Sequence, residues 1–178
     1  MILKYTLLIS FLFFSASITA QQKIRNKTAD SEITYTMKHL VHTWSGTSKA
    51  LQCMMETDAS GAVKKVAGQV SVRSFDSKNS NRDSHMLEVT EALRFPNISF
   101  ESVAITPLPN AQYDVEGKLS FHGVQQPIRL VMTETKRKDQ RIFAGSFTLL
   151  LEDFKVERPS FMMVKTDNEV KIDLSIVF

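Results

Sequence analysis

From Ser31 onward the chain alternates apolar and polar residues with a period of two. Ile33, Tyr35, Met37 and His39 fall on one side, and Glu32, Thr34, Thr36 and Lys38 on the other. Tyr113, Val115, Gly117, Leu119 and Phe121 oppose Asp114, Glu116, Lys118 and Ser120 in the same way. Val170, Ile172, Leu174, Ile176 and Phe178 are set against Lys171, Asp173 and Ser175. Successive side chains of a strand point to opposite faces, so this pattern predicts half-buried β-strands. Further strands are expected near 47–56, 63–74, 98–106, 126–135 and 141–151, eight in all, a number at which a sheet can close into a barrel. Turns are expected at Ala59-Ser60-Gly61, Pro107–Asn110, His122-Gly123, Lys136–Gln140 and Thr166–Asn168, so most links are hairpins and the pairing is antiparallel. One interval departs from the rhythm. Met86, Val89 and Leu93 stand at helical spacing, with Asn79, Ser80 and Asn81 available as caps. The expectation is an all-β chain, an eight-stranded antiparallel barrel with one short helix in the 81–93 region.

The polar faces decide what surrounds such a barrel. Glu32, Lys38, Asp114, Glu116, Lys118, Lys171 and Asp173 lie opposite the apolar positions, whereas a barrel in lipid must present an apolar band outward. The apolar residues therefore face inward, where eight strands either fill with side chains or enclose one small ligand. At the N-terminus, Lys4 precedes an uncharged, largely apolar run from Tyr5 and small or polar residues through Ala20, the layout of a secretory signal. The run is shorter than the roughly 18 residues of a membrane span, so export with cleavage near Ala20 is expected, leaving a protein free in its compartment with no membrane span. Residues 21–178 then form a single domain. Removing Lys4 reduces the excess of 22 Lys and Arg over 19 Asp and Glu from +3 to +2, and so weak a balance does not indicate nucleic acid. Cys53 is the one cysteine, so no internal disulfide is possible and stability must come from packing.

Candidate chemistry is sparse. A hydrolase needs a nucleophile, a base and an orienting acid together, and no nucleophile-elbow glycine pattern surrounds any serine. Cys53 lies among Leu51, Met54 and Met55, where burial keeps a thiol inert. No catalytic residue and no cofactor is assigned. His39 and His42 sit three apart, which on a continuous strand places them on opposite faces unless the chain bends at Val41, and no metal-ligand spacing accompanies them. No metal site is assigned, and His39 reads as a hydrogen-bonded core or pocket histidine. The candidate lining of the interior is Tyr35, Met37, Phe100, Tyr113, Val115 and Leu119, set against the plainer reading that they fill a solid core. Trp44 either lines the mouth or covers the barrel end. Arg82, Asp83 and His85 either grip a ligand head group or pin the helix to the strands. Asn26-Lys27-Thr28 and Asn97-Ile98-Ser99 match glycosylation sequons and are read as accidental.

Four ordered motifs carry a resemblance. Ser31–Leu40, Asn81-Arg82-Asp83-Ser84-His85-Met86-Leu87, Phe95-Pro96-Asn97-Ile98-Ser99-Phe100-Glu101-Ser102 and Val115–Pro127 resemble the YceI family in order and spacing. Asp153-Phe154 and Glu157-Arg158-Pro159-Ser160 resemble its penultimate connection. The resemblance implies a lipocalin-like barrel in the bacterial periplasm whose interior binds a polyisoprenoid or isoprenoid quinone, so an isoprenoid-type lipid is the expected partner. Two departures stand out: Thr47–Gln52 replaces the usual aromatic and second glycine after Gly46, and Glu91-Ala92-Leu93 replaces paired aromatics after the helix. Binding such a chain needs apolar length, since each buried methylene contributes about 0.8 kcal/mol. A ten-carbon tail supplies roughly 8 kcal/mol against association costs of about 4–15 kcal/mol. The alternative is a structural or interaction protein of the cell envelope with a filled barrel. Oligomeric state, a dimer included, is left open.

Overall fold

The computed structural model describes residues 21–40, 42–161 and 163–178. The expected secretion signal with its cleavage near Ala20, and the bend at Val41, lie outside the described residues.

Ten strands form one antiparallel sheet: β1 (Gln22–Arg25), β2 (Glu32–His39), β3 (His42–Ser48), β4 (Gln52–Thr57), β5 (Val63–Ser71), β6 (Asn97–Leu108), β7 (Gln112–Phe121), β8 (Val124–Arg137), β9 (Gln140–Leu150) and β12 (Glu169–Val177). Their order is β1-β4-β5-β6-β7-β8-β9-β12-β2-β3, and β10 (Ser160–Phe161) pairs with β11 (Val164–Lys165) as a separate small hairpin. The sheet curls so that the alternating apolar residues face a common interior. Ile33, Tyr35, Val115, Leu119, Phe121, Val170 and Ile172 are all buried, while Glu32, Lys38, Glu116, Lys118 and Lys171 are exposed.

The all-β antiparallel architecture is as expected, but the strand number is ten, not eight. The segment 47–56, read as one strand, is the end of β3 and the start of β4. Ser48 breaks it: its Oγ accepts from Ala50 N–H at 3.1 Å and shares a hydrogen bond with Ser74 Oγ at 2.7 Å, which turns the backbone before Leu51. β1 is short and mostly polar, and so leaves little periodic signal. Among the described residues no ladder joins β1 to β3, so the seam is closed by loops. Thr47 and Asp76 exchange backbone bonds of 3.0 Å, Lys27 N–H donates to the Val177 carbonyl, and Val177 N–H donates to Ser31 Oγ. Asn26, the first sequon residue, holds this seam too: its side chain donates to the Leu51 carbonyl and accepts from Cys53 N–H, both at 2.8 Å.

The helix α1 (Ser80–Val89) is capped by Asn79, whose Oδ1 accepts from Arg82 N–H at 3.1 Å. It stops earlier than the 81–93 spacing implies. After Thr90 the chain turns through Glu91 at φ 45°, so Ala92 is buried and Leu93 is exposed.

Two buried clusters divide the interior. One, at the α1 end, packs Tyr35, Phe75, Phe121, Leu149, Phe154 and Ile172. The other, at the opposite end, packs Met55, Val63, Leu130, Met132, Phe143 and Phe178. Two ladders are incomplete: β5 pairs with β6 only from Ala67↔Glu101 to Ser71↔Asn97, with Ser102 Oγ accepting from Val66 N–H at 2.9 Å just beyond it, and the second gap lies between β8 and β9. β8 pairs with β9 only from Met132↔Gly145 to Arg137↔Gln140, so residues 124–131 and 146–150 diverge as the two arms of a V. Each arm is held from its other side, β8 by β7 and β9 by β12. Pro127, which has no N–H to donate, sits on the unpaired arm, where strand prolines are tolerated.

Candidate functional site

Between the two clusters lies a cavity of about 130 Å³. Its walls come from β2, β4 to β9 and β12, and they are apolar apart from Gln69, Ser99, Tyr113 and the Cys53 thiol. Space exists there because large side chains lie over glycines on the neighbouring strand. The Phe100 ring covers Gly117, Met132 covers Gly145, and Cys53 covers Gly68; a Cβ on Gly117 would fall 2.3 Å from Phe100 Cζ. Tyr35 covers Gly46 in the same manner near α1.

Of the residues singled out from sequence, Phe100, Tyr113, Val115 and Leu119 line this cavity. The others gather at the α1 end, outside the lining. Tyr35 is buried there, its ring 5.6 Å from that of Phe75, and Met37 packs against the same cluster. Burial, followed by the nearby Asp83 carboxylate, pushes the Tyr35 hydroxyl up to about 12. His39 is buried and its Nε2 lies 3.0 Å from the Val164 carbonyl. Trp44 carries the Arg82 guanidinium over its ring at 5.4 Å. Asp83 accepts from Ser77 N–H at 3.1 Å and Arg82 Nη1 donates to the Ser77 carbonyl at 3.5 Å, so the two side chains meet the same residue and both fasten the helix to the segment before it. His85 is exposed, with Nδ1 3.5 Å from Glu88. His39 and His42 face each other across the β2–β3 hairpin, so they do not share one straight strand. Among the described residues, no cluster of three or more metal-ligating side chains forms.

Sequence reading missed the far end. Glu134, on the inner face of β8 and 8 % exposed, accepts from Arg141 Nε at 2.7 Å, Arg141 Nη2 at 3.2 Å and the Tyr113 hydroxyl at 2.8 Å. Arg141 also donates to the Gly61 carbonyl at 3.1 Å, strapping β9 to the β4–β5 turn, and its guanidinium lies over the Phe143 ring. Burial raises the Glu134 carboxyl, but the bonds from Arg141 and Tyr113 outweigh it and hold the group below the usual carboxylate range. Tyr113 is raised by burial and by the same carboxylate. One signal was available: Glu134 is in phase with Ile128, Leu130 and Met132, an acid on an inward-facing face.

Cys53 is part of the cavity wall, and burial pushes its thiol up to about 12. Against an ordinary thiol, which titrates at about 8.5, that leaves on the order of a thousandfold fewer thiolates at pH 8. Titration with a thiol-reactive disulfide should therefore show negligible reaction in the folded protein and rapid reaction of one thiol in denaturant. Fast labelling of the native state would place the thiol in water.

The chain has relatives both in sequence and in fold. A UPF0312 protein of Vibrio cholerae is 28 % identical over 152 residues, covering 80 % of each chain. A UPF0312 protein of Pseudomonas fluorescens is 26 % identical over 169 residues, covering 89 % of this chain and 86 % of that one. Among solved structures, BcnA of Burkholderia cenocepacia superposes with a TM-score of 0.78 at 21 % identity, over 86 % of this chain and 99 % of its own. A polyisoprenoid binding domain from Saccharophagus degradans gives 0.70 at 11 % identity, over 89 % and 97 %. The YceI-like domain model matches residues 25–178, nearly the whole described sheet, and the chain therefore belongs to the YceI-like family.

Proposed function

We propose that this chain is a binding or carrier protein for a long apolar ligand of the isoprenoid or quinone type, held in the sheet interior, with no catalytic step. The observation that carries the reading is the cavity itself, whose wall is almost wholly apolar. Such a surface recognises hydrocarbon and leaves a polar substrate without hydrogen-bond partners. The polyisoprenoid binding domain among its structural neighbours is consistent with that choice. At about 130 Å³ the void resembles the roughly 150 Å³ cavities that take a benzene-sized guest, so a longer chain must displace side chains. Met55 and Met132 in the wall are suited to this, because an unbranched thioether repacks at little cost. The layout of residues 1–20 supports export to the periplasm with cleavage near Ala20, and no described helix is long and apolar enough to cross a membrane.

The packed cluster at the α1 end favours a second reading, an envelope interaction protein with a filled interior. Expression with the native N-terminus, periplasmic fractionation, solvent extraction and mass spectrometry separate the two. The carrier reading expects a mature chain starting at Gln21 with an isoprenoid lipid bound. Repeated absence of lipid, together with failure to take up added all-trans-retinol, would leave the second reading standing.

A further inference from the structure

We infer that the V between β8 and β9 is the doorway to the interior, passing an apolar chain sideways through the sheet while an uncharged polar head stays outside. This rests on the carrier reading and adds to it a route and a head-group class.

Three observations meet at the V. Above the Met132↔Gly145 pair no ladder joins the strands, so separating the arms there costs no main-chain hydrogen bond between them. The four side chains that close the gap, Ile128, Leu130, Phe147 and Leu174, border the inner cavity and also an outer groove on the opposite side of the sheet. The barrier is thus one layer of half-buried or buried hydrocarbon, whose rotamers rearrange far faster than a ladder opens. The α1 end offers no comparable route, because Tyr35, Phe75, Phe121, Phe154 and Ile172 are packed across it and none of them borders the cavity. At the other end Arg141 is strapped to Gly61 and to Glu134, and the gap beyond the last β5–β6 pair is bridged by Val66 N–H donating to Ser102 Oγ at 2.9 Å.

The outer groove selects the head. Its charged lining residues are Asp114, Arg129 and Asp173. Arg129 is engaged by Asp114, with Nε donating at 2.9 Å, and lies 3.6 Å from Glu116, while Lys171 Nζ holds Asp173 at 2.8 Å, so each of these cations is already paired and a phosphate or carboxylate head would have to displace a carboxylate to reach one. A hydroxyl or quinone carbonyl would instead find the hydroxyls of Thr133, Ser146 and Thr148 on the groove wall.

The test staples the V. Val131 and Ser146 are exposed and stand one step beyond the last paired residues, Met132 and Gly145. Val131→Cys with Ser146→Cys, in a Cys53→Ala background, is closed by oxidation or by bridging with dibromobimane, and closure is verified by mass. Stopped-flow fluorescence then follows all-trans-retinol, an isoprenoid alcohol, entering and leaving; the reduced protein is its own folding control. Closure should slow association and dissociation together by about tenfold or more, with Kd changed by less than about threefold, as expected for a blocked path to an intact site. Dithiothreitol should restore both rates of the disulfide form. Retinoic acid should bind at least about tenfold more weakly than retinol, which is about 1.4 kcal/mol. A closed staple that exchanges retinol as fast as the reduced form overturns the doorway and leaves the carrier reading intact. Retinoic acid bound as tightly as retinol overturns the head-group assignment. A parent protein that takes up no retinol overturns the carrier reading, and the doorway with it.

Discussion

Arg141→Ala should destabilise the fold by about 3 kcal/mol near neutral pH, because it leaves the Glu134 carboxylate without its cation in a side chain that is 5 % exposed. The value lies at the lower end of the range for broken buried pairs, since the Arg141 side chain keeps 22 % exposure and water reaches it. Chemical denaturation should show the loss in the midpoint. Glu134→Leu with Arg141→Met should recover most of it, since an apolar pair removes both desolvation penalties. The pH dependence has a definite sign. Glu134 titrates below the usual carboxylate range in the folded protein, so its contribution is complete above the unfolded value of about 4.3 and is lost as pH falls through the folded value. Without Arg141, burial dominates and the folded carboxyl titrates higher, so the deficit of Arg141→Ala should shrink as pH falls below about 5. A deficit that stays constant from pH 7 to pH 3 would show that the ion pair is not its source.

Gly117→Val should be the most damaging change to the interior. A Cβ at Gly117 would lie 2.3 Å from Phe100 Cζ and 2.5 Å from the Glu101 carbonyl oxygen. The ring can move, but the carbonyl belongs to the β6–β7 ladder, where Glu101 pairs with Lys118. Valine therefore forces the backbone apart and drives Phe100 into the cavity. Overpacking of this kind costs about 3 kcal/mol, which for a chain of this size lowers Tm by roughly 6–12 °C. Phe100→Leu added to Gly117→Ala vacates the ring but leaves the carbonyl contact, so it should recover part of the stability that Gly117→Ala loses alone, and comparing uptake of retinol by Gly117→Val and by the double variant links the lost space to binding. Recovery without the second substitution would show that the ring contact is not the obstacle.

The strand faces were legible because alternation is local. Phe100, Tyr113, Val115 and Leu119 reach the cavity for that reason, each being an inward position of β6 or β7. The same argument placed Tyr35 and Met37 inside and could not say at which end, since depth along the interior depends on register between strands far apart in sequence. Trp44 illustrates the limit. Its site on the inner face of β3 under Arg82 follows only once β3 folds back on β2 and α1 lies across that end. The Glu134–Arg141–Tyr113 clamp combines residues from three strands, and Gly61, which Arg141 also holds, is 80 residues away.

The sequence by itself determined the antiparallel class, the inward and outward faces, the capped helix and the family. These follow from periodicities and motifs that span a few residues each. Only the tertiary structure decided that the sheet has ten strands, that its seam is closed by loops, that the α1 end is packed solid, and that the β8–β9 ladder stops at Met132 and Gly145. Such features depend on long-range pairing, where a serine turn or a single proline sets which backbone groups find partners. Local patterning is indifferent to those choices.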